Sequence, residues 1–189
     1  MTPLRATLLF VKPSFVIVGL GNPGSSYTET RHNLGFKAVD LLKEKFGEGE
    51  WEDRQKFLSL VSEGKIGDSP VLFVKPQTFM NRSGEAIRKI TDFFKLDAGT
   101  QLLIINDDID LPAGEIRVRK SGGPGTHNGL KSVVEQIGES FARLRIGLGA
   151  PLKGEDLAAW VLSVPPEEER RVLLRAVESV IKPVEEFVG

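Results

Sequence analysis

The sequence predicts an α/β fold: a single domain with a mixed, mostly parallel twisted sheet flanked by helices. Three observations point there. Two short apolar runs, Phe15–Gly19 (FVIVG) and Leu102–Asn106 (LLIIN), have the length and unbroken hydrophobicity of buried strands. Segments with helical spacing lie between and after such runs, so strands and helices interleave. Ile116–Lys120 and Arg143–Gly147 alternate apolar with charged residues, the pattern of half-exposed strands, which brings some antiparallel pairing.

Taken in order, Phe15–Gly19 is a first strand ending in glycine. Leu34, Ala38, Leu41, Leu42 and Phe46 then keep helical spacing, with Asn33 as a suitable N-cap and Gly47 as a C-terminal cap. Phe57–Val61 and Val71–Val74 read as strands, and Ser83 can cap a second helix running to Lys95. The buried strand Leu102–Asn106 follows, then Ile116–Lys120, a helix over Gly129–Ile137, and Arg143–Gly147. The tail opens PPEEERR, with prolines and acids suited to a helix N-terminus, and continues helically to near Lys182. With no repeat, low-complexity tract or linker, residues 15–189 are expected to form one domain and residues 1–14 a flexible N-terminal extension.

Composition narrows the chemistry. The 189 residues are 40% hydrophobic, enough to fill a sizeable core. Cysteine is absent, which excludes disulfides, thiol nucleophiles and cysteine-ligated zinc. No apolar run approaches the roughly 20 residues of a membrane span, and the N-terminal apolar patch is short for a signal-peptide core. A soluble, cytoplasmic protein with no membrane partner is expected. The net charge is −1, yet its distribution is uneven: Pro112–Ile146 holds six cations against three anions, and the segment from Pro151 onward holds five against eight.

The basic segment contains GGPGTHNGL, Gly122–Leu130, and with it one of only two histidines. The other sits in TRHNLG, and both histidines are followed by asparagine. Of five asparagines, four lie in short motifs: Asn22 in GLGNPG, Asn33 in RHNLG, Asn81 in TFMNRSG and Asn128 in THNGL. A carboxamide donates and accepts at once, so it can grip an ester or a peptide backbone without adding charge. Asparagine also suits turns and caps, which covers Asn33.

Several chemistries compete for these residues. Gly19-Leu-Gly21-Asn-Pro-Gly24 matches the glycine fingerprint of dinucleotide-binding folds, but that fingerprint needs a helix opening at the loop. Here Pro23 and SSYTETR intervene, and Asp40, at the expected acidic spacing, falls inside a helix. Asp107, Asp108 and Asp110, expected just past a strand, have three readings: a polar turn, a magnesium site, or a carboxylate that orients a histidine. Two histidines without cysteine do not favour zinc, and no serine elbow appears. Histidine-activated water is the simplest proposal. The alternating strands pair Arg117 with Arg119 and Arg143 with Arg145 on their faces, rows that suit either solvent or phosphates.

Taken together, GLGNPG, Tyr27 with TRHN, KPQTFMNRSG, DDIDLPAGEIRVR and THNGLKS occur in one order and spacing, and the chain from Phe15 onward resembles the bacterial peptidyl-tRNA hydrolase family. The resemblance implies metal-independent hydrolysis of the ester between a peptide, or an N-blocked aminoacyl group, and the 3′ end of tRNA, with no cofactor. On that pattern His32 is the general base, Asp107 holds and polarises it, and Asn22 binds substrate near the scissile ester. Tyr27, Phe79, Met80, Asn81 and Asn128 line the cleft, and His127 lies near the substrate. Arg117, Arg119 and Arg145 meet the tRNA backbone, and the protein is a monomer. Thr126 stands where many members have glycine, and Arg119 where a lysine also occurs. The rival implied by the same resemblance is a non-catalytic RNA-binding protein on this fold.

Overall fold

The structure is a computed structural model and describes residues 12–189. Residues 1–11 of the expected N-terminal extension lie outside the described residues. Its last three are part of the fold: Pro13 is buried, and Ser14 donates its N–H to Pro70 O at 2.9 Å and accepts from Gln101 Nε2 at 2.9 Å.

Seven strands form one sheet: β1 (Phe15–Gly19), β2 (Glu52–Arg54), β3 (Ser59–Ile66), β4 (Ser69–Pro76), β5 (Leu102–Asp108), β6 (Ile116–Arg119) and β7 (Ala142–Gly147). Their order is β2-β3-β4-β1-β5-β7-β6. The inner strands β4, β1, β5 and β7 run parallel, and each edge is completed by antiparallel pairing, so the sheet is mixed as expected. After β1 the chain builds one side of the sheet through β4, then crosses to β5 on the other side. The C-terminal end of β1 is therefore a topological switch point, where the flanking loops part and leave a crevice.

Helices cover both faces. One face of the sheet carries α1 (Leu34–Phe46), α6 (Glu167–Glu178) and α7 (Ile181–Val188), packed on Ile17, Phe73, Leu103, Ile105 and Leu144. The other carries α2 (Ser83–Phe94) and α4 (Asn128–Ile137), packed on Val16, Val18, Leu72, Val74 and Ile104. Two short helices, α3 (Ala98–Gln101) and α5 (Leu157–Val161), lie between. Successive residues of β1 serve opposite cores, which is why FVIVG is apolar throughout.

Glycines set how closely α1 approaches the sheet. A Cβ on Gly19 would lie 2.1 Å from Gly35 O, and one on Gly35 would lie 2.4 Å from both Leu20 O and Ile105 O. Gly19 and Gly21 of GLGNPG thus act as spacers under α1, which starts only at Leu34. Only a single 3-10 turn, Ser25–Tyr27, opens at the loop, not the α-helix that the dinucleotide fingerprint would require.

The structure departs from the sequence expectation at several points. Phe57 ends a 3-10 turn, Gln55–Phe57, rather than starting a strand; its ring is buried against Phe93 and Phe94, and β3 begins only after the left-handed Leu58. Ser83 is the buried first residue of α2 and caps nothing with its side chain. Strand β5 runs on to Asp108, so Asp107 and Asp108 belong to the sheet, not to a turn beyond it. Strand β7 lies between β5 and β6 and is largely buried, not half exposed. The tail helix is broken into α6 and α7. Pro183 has no N–H for a bond back to Ser179, so it fits only the first turn of a new helix. The edge strand β2 (EDR) had no apolar signal, and α5 (LAAWV), though apolar, is too short to show a helical period.

Gly35→Ala tests the close approach. Alanine favours helix, yet the variant is expected to lose about 1–3 kcal/mol through overpacking, read by urea denaturation. Unchanged stability would contradict the contact.

Candidate active site

The parallel strands aim their C-terminal ends at the crevice, and four segments deliver side chains there. Beyond β1 come the GLGNPG loop and a 3-10 turn, Arg31–Asn33. Beyond β4 comes a second 3-10 turn, Met80–Arg82. Asp107 stands near the end of β5, and His127 at the N-cap of α4.

Asn22 and Asn33 are stapled to each other. Asn22 N–H donates to Asn33 Oδ1 and Asn33 Nδ2 donates to Asn22 O, both at 2.9 Å. Asn33 occupies the N-cap position of α1 but makes no capping bond with its side chain, so its amide fixes the neighbouring loop instead. Asn22 Oδ1 accepts from Met80 N–H at 2.8 Å, which leaves its Nδ2 without an acceptor among the described residues. Two loops thereby orient one amide N–H pair.

His32 is 8% exposed, and its Nδ1 sits 2.9 and 3.0 Å from the two oxygens of Asp107, itself 1% exposed. A carboxylate can only accept here, so Nδ1 carries the proton and Nε2 keeps its lone pair. Asp107 Oδ1 also lies 3.0 Å from His127 Nε2. On the far side of that ring, Leu130 N–H donates to Nδ1 at 3.2 Å, which places the His127 proton on Nε2, facing Asp107. The two rings lie 4.8 Å apart, centre to centre.

The electrostatics follow from this pairing. Burial alone would raise the Asp107 carboxyl, but the charges and hydrogen bonds of His32 and His127 hold it well below the usual carboxylate range. Burial alone would lower the His32 imidazolium; the charge and hydrogen bond of Asp107 outweigh it and carry His32 above its ordinary 6.5.

The donor atoms of His32, Asp107 and His127 lie within 4.8 Å of one another, close enough to raise the question of a metal. The tautomer argues against it. If His127 Nε2 bound a cation, the ring proton would move to Nδ1, directly against the Leu130 N–H. Metal-bound histidines normally donate from that second nitrogen to an acceptor.

A cavity of about 790 Å³ opens beside Asp107 and His127. It is lined by Arg117, Arg119, Arg143 and Arg145, by the Gly122–Thr126 loop, and by Leu157 and Val161 of α5. In the sheet register Arg117 faces Arg145 and Arg119 faces Arg143, so like charges stand directly opposite each other at a cost. Three of the four are compensated. Arg145 pairs with Asp108 and Arg117 with Glu115, while the buried Arg143 donates to Gly123 O and Glu139 O. Arg119 is exposed and has no ion pair among the described residues.

Outside the lining of this cavity, Tyr27 and Phe79 meet edge to face at 6.3 Å, with Phe79 56% exposed. The side chains of Asn81 and Asn128 are exposed and unbonded among the described residues. Met80 is buried beneath α4 rather than exposed in a cleft, and its backbone N–H is what reaches the site.

The sequence pattern matches the peptidyl-tRNA hydrolase family model over residues 16–189. The chain belongs to the peptidyl-tRNA hydrolase family. It is 44% identical to the peptidyl-tRNA hydrolase of Fusobacterium nucleatum over 92% of this chain and 89% of that one. It is 45% identical to that of Chloroflexus aggregans over 93% of each. The crystal structure of peptidyl-tRNA hydrolase from Acinetobacter baumannii superposes with a TM-score of 0.87 at 38% identity, over 92% of this chain and 88% of that one. These matches establish the family and the fold. Among the described residues no helix is long and apolar enough to cross a membrane.

Sequence reasoning missed the Asn33–Asn22 staple, the double use of Asp107, and Arg31. For Asn33 the helix-start signal masked the second role. With two histidines, the chain allows a clean titration. The His32 imidazole is expected to titrate above 6.5 by NMR, and in Asp107→Asn to fall to 6.5 or below, because burial then acts without the opposing charge. An unmoved midpoint would contradict the pairing.

Proposed function

We propose that this family member hydrolyses the ester joining a peptide, or an N-blocked aminoacyl group, to the 3′ ribose of tRNA, with His32 as the general base. Hydrolysis of peptidyl-tRNA is the family's function, and the chain is an enzyme of that family. The observation that carries the residue assignment is the contact of His32 Nδ1 with both oxygens of Asp107, from which the ring proton is assigned to Nδ1 and Nε2 is left as a free base.

In this reading His32 Nε2 takes a proton from a water as its oxygen attacks the ester carbonyl carbon. Asp107 stabilises the imidazolium that forms. The tetrahedral intermediate collapses by breaking the carbon–oxygen bond to the ribose, and the imidazolium returns the proton to the departing 3′ oxygen. Water and ester become a carboxylic acid and a tRNA hydroxyl, with no net change at the enzyme.

The free Nδ2 of Asn22 is the donor best placed for the ester end, because both of its neighbouring loops are locked. One oriented donor of this kind is worth about 3 kcal/mol in the transition state. Asn81 and Asn128 offer further amides, and Tyr27 with Phe79 an aromatic wall for the peptide. His127 serves the site through Asp107. The arginine block suits the phosphates of the acceptor end, and Arg119, uncompensated, is the residue expected to gain most from them. Arg117 and Arg145 contribute once phosphate competes with Glu115 and Asp108. The tautomer of His127 supports a metal-independent reaction. The family resemblance supports a cytoplasmic monomer that returns tRNA to use.

The test is release from an N-blocked aminoacyl-tRNA and its unblocked counterpart, with and without chelator. Cleavage of the blocked substrate alone is expected, unaffected by chelation. It should be lost in His32→Ala while tRNA binding survives. Because the neutral imidazole is the active form, kcat/KM should rise with pH through an inflection above 6.5 and then level off. Tight tRNA binding with no release would instead indicate the non-catalytic RNA-binding protein.

A further inference from the structure

The run Thr30–Asn33 sends four consecutive side chains in different directions. Thr30 bonds Tyr27 O at 2.8 Å, His32 meets Asp107, and Asn33 holds Asn22. Arg31 has no part in the chemistry above, yet it is 4% exposed, and a charge so removed from water requires close compensation. Its Nε and Nη2 donate to the two oxygens of Glu169 at 2.6 and 2.7 Å. Its Nη1 donates to Ser163 Oγ at 2.5 Å and reaches the carbonyls of Trp160 and Ser163 at 3.2 and 3.3 Å. The guanidinium lies 4.6 Å above the Trp160 ring centre, and the Arg31 N–H donates to Ser163 O at 3.2 Å.

All these partners lie within residues 160–169, far along the chain. The segment that leads into them forms a wall of the cavity, through Asp156, Leu157, Ala158 and Val161. The same cavity is lined by His32 and Asp107. One guanidinium therefore joins a wall of the cavity to the turn that carries His32.

We propose that Arg31 is a positioning residue for His32, holding the turn Arg31–Asn33 against the α5 wall; this inference rests on the reading of His32 as the base. The planar fork fixes the direction of the turn in a way that a point charge on a flexible stem cannot. Displacing the turn would lengthen the His32–Asp107 contact, and small misplacements of a reacting group are costly. The titratable groups against His32 are Asp107 and His127, so the His32 midpoint reports on that geometry.

The experiment measures kcat, KM and the pH inflection of kcat/KM on an N-blocked aminoacyl-tRNA for Arg31→Lys, Glu169→Gln and the mild Ser163→Ala, with thermal melting alongside. Arg170→Gln is the control. It breaks the exposed pair from α6 to Glu29, which serves the same helix without touching the base. Arg31→Lys and Glu169→Gln are expected to lower kcat by about 10- to 100-fold, with KM little changed and the inflection moved down towards 6.5. Ser163→Ala should shift both in the same direction by less, and Arg170→Gln neither. Lower melting temperatures with unchanged kcat and inflection in the folded enzyme would overturn the proposal, and so would a change in KM alone. If Arg31→Lys does not fold, Ser163→Ala decides between the same outcomes. His32→Ala in the same series keeps the two readings apart: its retaining activity would refute the base, whatever Arg31 does.

Discussion

One buried carboxylate organises this molecule. Asp107 is withdrawn from water, and its oxygens are met by two imidazoles from two different segments. An ionised group in that position stays charged only if its partners are well placed, and losing one partner of a buried pair costs about 3–5 kcal/mol. Strand β5 must therefore continue through Asp107, the Arg31–Asn33 turn must bring His32 in from above α1, and α4 must begin at His127. The ester chemistry proposed for His32 would use the same arrangement, since the pairing that keeps Asp107 charged also leaves Nε2 of His32 free.

The surrounding structure reads as support for that contact. The parallel centre of the sheet brings the ends of β4, β1 and β5 side by side, and the switch at β1 opens the crevice between their loops. The Gly19–Gly35 approach lets α1 sit close enough for its preceding turn to reach β5. The Asn22–Asn33 staple and the Met80 N–H then lock the loop that carries the amide donor. The arginine block is a contrasting case. Opposed like charges in β6 and β7 are costly, and only Arg119 among them is left without an acid or a carbonyl among the described residues to offset it.

Much of this was legible in the sequence, for physical reasons that can be named. FVIVG and LLIIN read as buried strands because both faces of a central parallel strand are covered. His32, Asp107 and the scarce asparagines stood out because polar groups concentrated in short motifs need a purpose beyond solubility. Contacts between residues distant in the chain were not legible. Nothing near Arg31 announces Glu169, and nothing near Leu130 announces that its N–H sets a histidine tautomer. Local propensity also misled. Asn33 reads as a cap, Phe57 as a strand residue and Arg143 as a surface cation, whereas tertiary contacts redirect each of them.

The central claim is the placement of two protons, and neutron diffraction from deuterium-exchanged crystals held above the His32 titration midpoint would see them directly. The account predicts deuterium on Nδ1 of His32 and on Nε2 of His127, both pointing at an unprotonated Asp107, with Nε2 of His32 bare. Deuterium on Nε2 of His32, or on Asp107 itself, would contradict it.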